Sequence, residues 1–97
     1  MPTYVTLITW TQQGIGNIKQ SPGRVDAAKD AFKKAGGEIK GFYLLMGQYD
    51  IMLIGEATDD TSAARLALGL GAQGNVRTQT MRAFTESEYR QIIASLP

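Results

Sequence analysis

The chain has 97 residues, 43 % of them hydrophobic and 20 % charged, and ten Lys and Arg against nine Asp and Glu leave a formal net charge of +1. Cysteine and histidine are both absent, which removes thiol nucleophiles, the usual zinc and proximal haem ligands, and the commonest general base near neutral pH. The interspersed charges make no basic field for a phosphate backbone, so no nucleic acid partner is expected, and without an apolar run of about 18 residues or a signal-peptide layout neither is a membrane.

A chain of this length forms one domain, residues 1–97. Folded alone it buries only roughly 60–70 % of its unfolded surface, so self-association would help it. A cytoplasmic location is the default expectation.

Thr3 to Trp10 (TYVTLITW) is rich in β-branched and aromatic residues with a period near two, and predicts the first strand. Its alternation sets Val5 and Leu7 opposite Tyr4, Thr6, Ile8 and Trp10. Thr11 to Gln20 carries two glycines and an Asn among polar residues, which favours a loop or a single helical turn, held by Ile15 and Ile18. Ser21-Pro22 resembles an N-cap followed by a first-turn proline. Val25, Ala28, Phe32 and Ala35 then follow at helical spacing, and Gly36-Gly37 stops the element.

The stretch from Gly41 to Thr58 (GFYLLMGQYDIMLIGEAT) reads as two apolar runs split by a turn. It predicts an antiparallel hairpin, with strands from about Glu38 to Met46 and about Tyr49 to Ala57 joined tightly at Gly47-Gln48. Both runs are apolar at odd and even positions alike, so both sheet faces need a cover. Thr58-Asp59-Asp60 caps a second helix with Ala63, Leu66, Ala67 and Leu70 as its buried stripe. Gly69 and Gly71 predict fraying or a close neighbour in its second half. Val76 to Phe84 forms the last strand, and Thr85 with Glu88 is a capping-box signature for a terminal helix with Tyr89, Ile92, Ile93 and Leu96 on one side.

The order βαββαβ plus a terminal helix, with two right-handed crossovers, predicts an α+β, ferredoxin-like sandwich with both main helices on one face. Its other face would carry Tyr4, Ile8, Trp10 and one row of the hairpin. That much apolar surface predicts a homodimer joined sheet to sheet.

Tyr4-Val5-Thr6-Leu7, Trp10-Thr11, Gly36-Gly37, the block from Phe42-Tyr43 to Gly47-Gln48-Tyr49-Asp50, Gly74-Asn75-Val76-Arg77-Thr78 and Arg82-Ala83-Phe84-Thr85 together resemble the GYD-domain family. The name-giving tripeptide is interrupted here by Gln48, a spelling similar to the hairpin of feast/famine regulator effector domains. The resemblance implies a dimeric α/β barrel in which two four-stranded sheets pack face to face. It implies little about activity, because the wider fold group holds amino-acid sensors, cofactor-free monooxygenases, isomerases and haem enzymes.

Asp50 at the turn, shielded by Tyr43, Tyr49 and Trp10, is the candidate proton acceptor, with Tyr43 or Tyr49 as donor. The commoner use of such a carboxylate is to accept backbone N–H groups. Trp10, Tyr43 and Met46 with Asp50 and Arg82 are the candidate ligand-binding set, suited to a small anionic or aromatic metabolite. The aromatics serve equally well as a dimer core. Arg77 and Arg82 lie five apart and so on opposite faces, which admits at most one into a given cavity. No motif calls for a cofactor or shows metal-ligand spacing, and Gly14-x-Gly16 lacks the glycines and Lys of a phosphate loop. The leading expectation is a small-molecule-binding or sensory module acting as a dimer or higher oligomer. The alternatives are a cofactor-free isomerase or monooxygenase and a pure interaction protein.

Overall fold

A computed structural model describes all 97 residues. Along the chain run β1 (Thr3–Trp10), α1 (Gln12–Gly16), a 3-10 turn (Ile18–Gln20), α2 (Ser21–Lys34), β2 (Glu38–Leu44), β3 (Ile51–Glu56), α3 (Asp60–Ala72), β4 (Val76–Ala83) and α4 (Glu86–Ala94). The strands make one four-stranded sheet in the order β2-β3-β1-β4, with every neighbouring pair antiparallel. This is the expected α+β, ferredoxin-like arrangement, with β1 and β3 at its centre.

Register divides the side chains into two rows. Tyr4, Thr6 and Ile8 of β1 stand beside Leu53 and Ile51 of β3 and are only 5–6 % exposed. Ala28 and Phe32 of α2 and Ala63 of α3 are buried with them, and Tyr4, Thr6, Phe32 and Ala63 line one void of about 10 Å³. Gly55 makes this packing possible, because a Cβ there would lie 2.7 Å from Phe32 Cε2. The Thr6 hydroxyl is satisfied by Thr80 Oγ1 at 3.0 Å, as a buried polar group must be.

The opposite row holds Val5, Leu7 and Thr9 of β1, Met52 and Ile54 of β3, Tyr43 of β2, and Arg77, Gln79 and Met81 of β4. Here the structure reverses the sequence reading, which placed Tyr4, Ile8 and Trp10 on the open face. Alternation identifies two rows but carries no sign when both are apolar. The sign is set by shape and hydrogen bonding: the Tyr4 hydroxyl donates to Asp60 Oδ1 at 2.5 Å, which only the helix-covered side can provide.

Other departures are local. The hairpin loop is longer than a tight turn, since β2 stops at Leu44 and β3 starts at Ile51, and β4 stops at Ala83. Thr11–Gln20 forms two short helical turns, capped by the Thr11 side chain, and Ile15 is 46 % exposed rather than a pin. Ser21 is the first helical residue of α2 with no side-chain cap before it, because the 3-10 turn feeds directly into the helix. Ala35 lies past the end of α2 and is exposed. α3 runs unbroken through Gly69 and Gly71, with nothing within 4 Å of a Cβ at either. Its expected cap is present, Asp59 Oδ1 accepting from the Ser62 N–H at 2.8 Å.

Edge strand β2 has a register break between Ile39 and Gly41. Lys40 emerges there and reaches Glu38 at 3.1 Å and Glu56 at 3.7 Å. At the other edge β4 leads into α4, whose capping box is complete: the Thr85 N–H donates to Glu88 Oε1 at 2.9 Å and the Glu88 N–H to Thr85 Oγ1 at 3.2 Å.

Candidate functional site

The hairpin end of the sheet is built on Asp50. Its N–H donates to Ile8 O at 2.9 Å, its Oδ2 accepts the Trp10 N–H at 2.9 Å, and its carbonyl accepts the Leu45 N–H at 2.8 Å. The carboxylate thus stands in for the strand partner that Trp10 would otherwise lack beyond the last β1–β3 pair, Ile8 with Ile51. That is a backbone-holding use of the side chain.

Trp10 continues the Tyr4–Thr6–Ile8 row and points under the sheet. With Pro22 and Val25 of α2, Phe42 and Leu44 of β2 and Ile51 of β3 it lines a groove of about 460 Å³, whose polar groups are Ser21 and Asp26. A deeper recess of about 50 Å³ continues inward beneath Trp10 to Ile8, Leu53 and Leu70, with Arg24 at its side. Arg24 donates to Asn17 O at 3.1 Å and Gly14 O at 3.4 Å, so it ties α2 to the end of α1. A separate groove of about 280 Å³ runs between α2 and α3 over Phe32, Leu66 and Leu70.

The floor of the site is stitched from Thr11. Its N–H donates to Asn75 O at 3.0 Å, its hydroxyl donates to Gly74 O at 2.6 Å and accepts the Gly14 N–H at 3.1 Å. Gln13 Nε2 adds bonds to Gln73 O at 3.1 Å and Asn75 Oδ1 at 3.0 Å. Gly14 is a glycine because a Cβ would stand 1.9 Å from Asn75 O. The Gly14-x-Gly16 spacing therefore has a packing origin.

The sequence-derived ligand set is not brought together. Trp10 lines the groove under the sheet, whereas Tyr43 stands on the open face at 55 % exposure and Met46 lies fully exposed in the loop. Tyr49 donates its hydroxyl to Gln79 Oε1 at 2.9 Å, across the open-face row. Arg82 pairs with Tyr4 while Val76 pairs with Trp10, so it sits six residues, roughly 20 Å, along β4 from the hairpin end. There it donates to Thr3 O and Ala83 O, meets Glu88 at 3.8 Å, and stacks 4.4 Å from the Phe84 ring centre and 5.8 Å from that of Tyr4. Arg77 and Arg82 do fall on opposite faces. Phe42, Leu44, Pro22 and Val25 were missed as groove residues; the signal was present in the shared row of Phe42, Leu44 and Ile51.

Two carboxylates of the helix caps have displaced titration. The Ser62 backbone N–H holds Asp59 below its usual range, and the Thr85 backbone N–H does the same for Glu88. Tyr4 is pushed up, first by its hydrogen bond to Asp60 and then by burial. No group of three or more Asp, Glu, His or Cys side chains is placed to hold a metal ion.

An antiparallel sheet with helices on one face and the other face bare places the molecule in the ferredoxin-like α+β class. The GYD domain family model matches residues 4–93, and the chain belongs to that family. A Thermus thermophilus protein named glutamine synthetase and cystathionine beta-lyase binding protein is 31 % identical over 84 residues, spanning 86 % of this chain and 88 % of its own. Among solved structures, FFRP-DM1 superposes with a TM-score of 0.63 at 17 % identity, covering 87 % of this chain and all of its own. TTHA0845 from Thermus thermophilus gives 0.55 at 23 % identity, covering 88 % and 95 %. These two likenesses speak for the fold. No helix is long and apolar enough to cross a membrane.

Proposed function

We propose that this chain is a non-catalytic binding protein that pairs with a second copy through the open face of its sheet and docks, as that dimer, on metabolic enzymes. The observation that carries the reading is the open row of Val5, Leu7, Met52 and Ile54 with Tyr43 and Met81 beside it. A contiguous apolar surface of this kind marks an interface. Enzyme docking is taken from the relative named for glutamine synthetase and cystathionine beta-lyase, and glutamine synthetase from the same source organism is the first partner to try.

Sedimentation equilibrium tests the first half. Wild type is expected as a dimer or a multiple of it, and Leu7→Glu as a folded monomer, because Leu7 faces out of the single chain. A wild-type monomer would refute the pairing. Surface plasmon resonance against purified glutamine synthetase tests the second half, and absence of saturable binding at tens of micromolar would remove it.

A second reading has its own observation, the groove of about 460 Å³ under Trp10, which falls in the size range of small-ligand sites. Its apolar walls, with Arg82 far away, suit an aromatic metabolite better than an anionic one. Trp10 is the chain's one tryptophan, so its emission reports occupancy directly. A panel of aromatic acids, amines and indoles that leaves this emission unchanged would reject the reading. Asp50 as catalytic base is not part of either proposal, since its Oδ2 holds the Trp10 amide.

A further inference from the structure

We infer that α4 is a dimer arm: each protomer lays the Tyr89–Ile92–Ile93 face of α4, with Leu96 just past its end, on the second copy, completing an interface that the two sheets alone leave too small. The inference rests on the sheet-to-sheet pairing proposed above. Those four side chains recur at helical spacing yet are 57, 42, 49 and 60 % exposed on their own chain. An isolated helix of nine residues does not hold together in water from local interactions alone. Its stability must come from a surface that the single chain does not supply.

The shape agrees. The radius of gyration is 14.5 Å and the longest dimension 52 Å against 31 and 18 Å for the others, whereas a compact chain of this length has a radius near ~13 Å. The root of the arm is fixed. Arg82 binds Thr3 O and Ala83 O, stacks on Phe84 and reaches Glu88, and Glu88 closes the cap on Thr85. The arm therefore leaves β4 in a set direction.

Area identifies the occupant. Four strands spaced about 4.8 Å apart and six to eight residues long give a sheet outline of roughly 400–500 Å², short of the ~800 Å² per partner of a standard stable interface. Only Phe84 and Thr85 separate α4 from Ala83, the last open-face residue of β4. A second copy seated on the sheet thus lies within reach of a helix about 13 Å long.

The test is sedimentation equilibrium of the full chain and of the double variant Ile92→Asn/Ile93→Asn, with hydrogen exchange of α4 in wild type and in Leu7→Glu. The double variant should dimerise at least 100-fold more weakly, and α4 amides should be protected in wild type and unprotected in the Leu7→Glu monomer. A wild-type monomer would remove the pairing and the arm together. A wild-type dimer whose double variant associates equally well, or whose α4 stays protected in the monomer, would overturn the arm and leave the sheet pairing standing.

Discussion

Gly14→Ala should destabilise the protein by about 1–3 kcal/mol, while Gly16→Ala, two residues on, should be neutral or stabilising. At position 14 the new Cβ would stand 1.9 Å from Asn75 O and 2.9 Å from its carbonyl carbon, roughly 1.5 Å short of contact distance. The obstacle is backbone, and the same oxygen accepts the Thr11 N–H at 3.0 Å, so yielding also weakens a hydrogen bond worth about 0.5–1.5 kcal/mol. Better helix propensity returns about 0.5–1 kcal/mol of this. At position 16 no atom lies within 4 Å of the Cβ, and only the favourable propensity remains. Urea denaturation at one fixed protomer concentration reads both, since the proposed self-association would make midpoints concentration-dependent. Wild-type stability for Gly14→Ala, or equal losses in both variants, would refute the packing account of this loop.

Asp50→Ala should cost about 1–2 kcal/mol by leaving the Trp10 N–H without its charged acceptor, with a red shift of Trp10 emission; unchanged melting would contradict the clamp. Gly69→Ala and Gly71→Ala should each raise stability by about 1 kcal/mol, because neither Cβ meets a neighbour, and thermal melts showing a loss would point to a close contact instead. The depressed carboxyls predict an acid limb: the contributions of Asp59 and Glu88 are full above their ordinary values of 3.8 and 4.5 and are lost as pH falls through the lower folded values. Asp59→Ala and Glu88→Ala should flatten that limb in pH-dependent melts. Tyr4 runs the other way: its contribution is full below pH 10.0 and lost as pH rises through its raised value. An alkaline profile identical in Tyr4→Phe would dismiss it.

Element order was legible because caps and periodicity are local. Asp59 before α3 and Thr85 with Glu88 before α4 act within three residues, so the sequence signature and the hydrogen bonds coincide. The facing of β1 was not legible, since Val5-Leu7 and Tyr4-Ile8 are both apolar and the row that turns inward is marked by partners distant in the chain, such as Asp60 for Tyr4 and Thr80 for Thr6. The candidate site suffered from the same ambiguity. Trp10 and Tyr43 were grouped by type and by nearness to one turn, yet opposite parity on neighbouring rows sends them to opposite faces. Arg82 read as a free fork for a carboxylate because its engagements with Thr3 O and Phe84 depend on where the chain goes after β4.

Lys40 at the break in β2 bears on how the protein avoids fibres. Its ion pairs with Glu38 and Glu56 are half exposed and add little stability. Their position matters more, because a kinked edge bearing a lysine cannot template another strand. Growth by edge-to-edge addition is therefore blocked on the β2 side of the sheet.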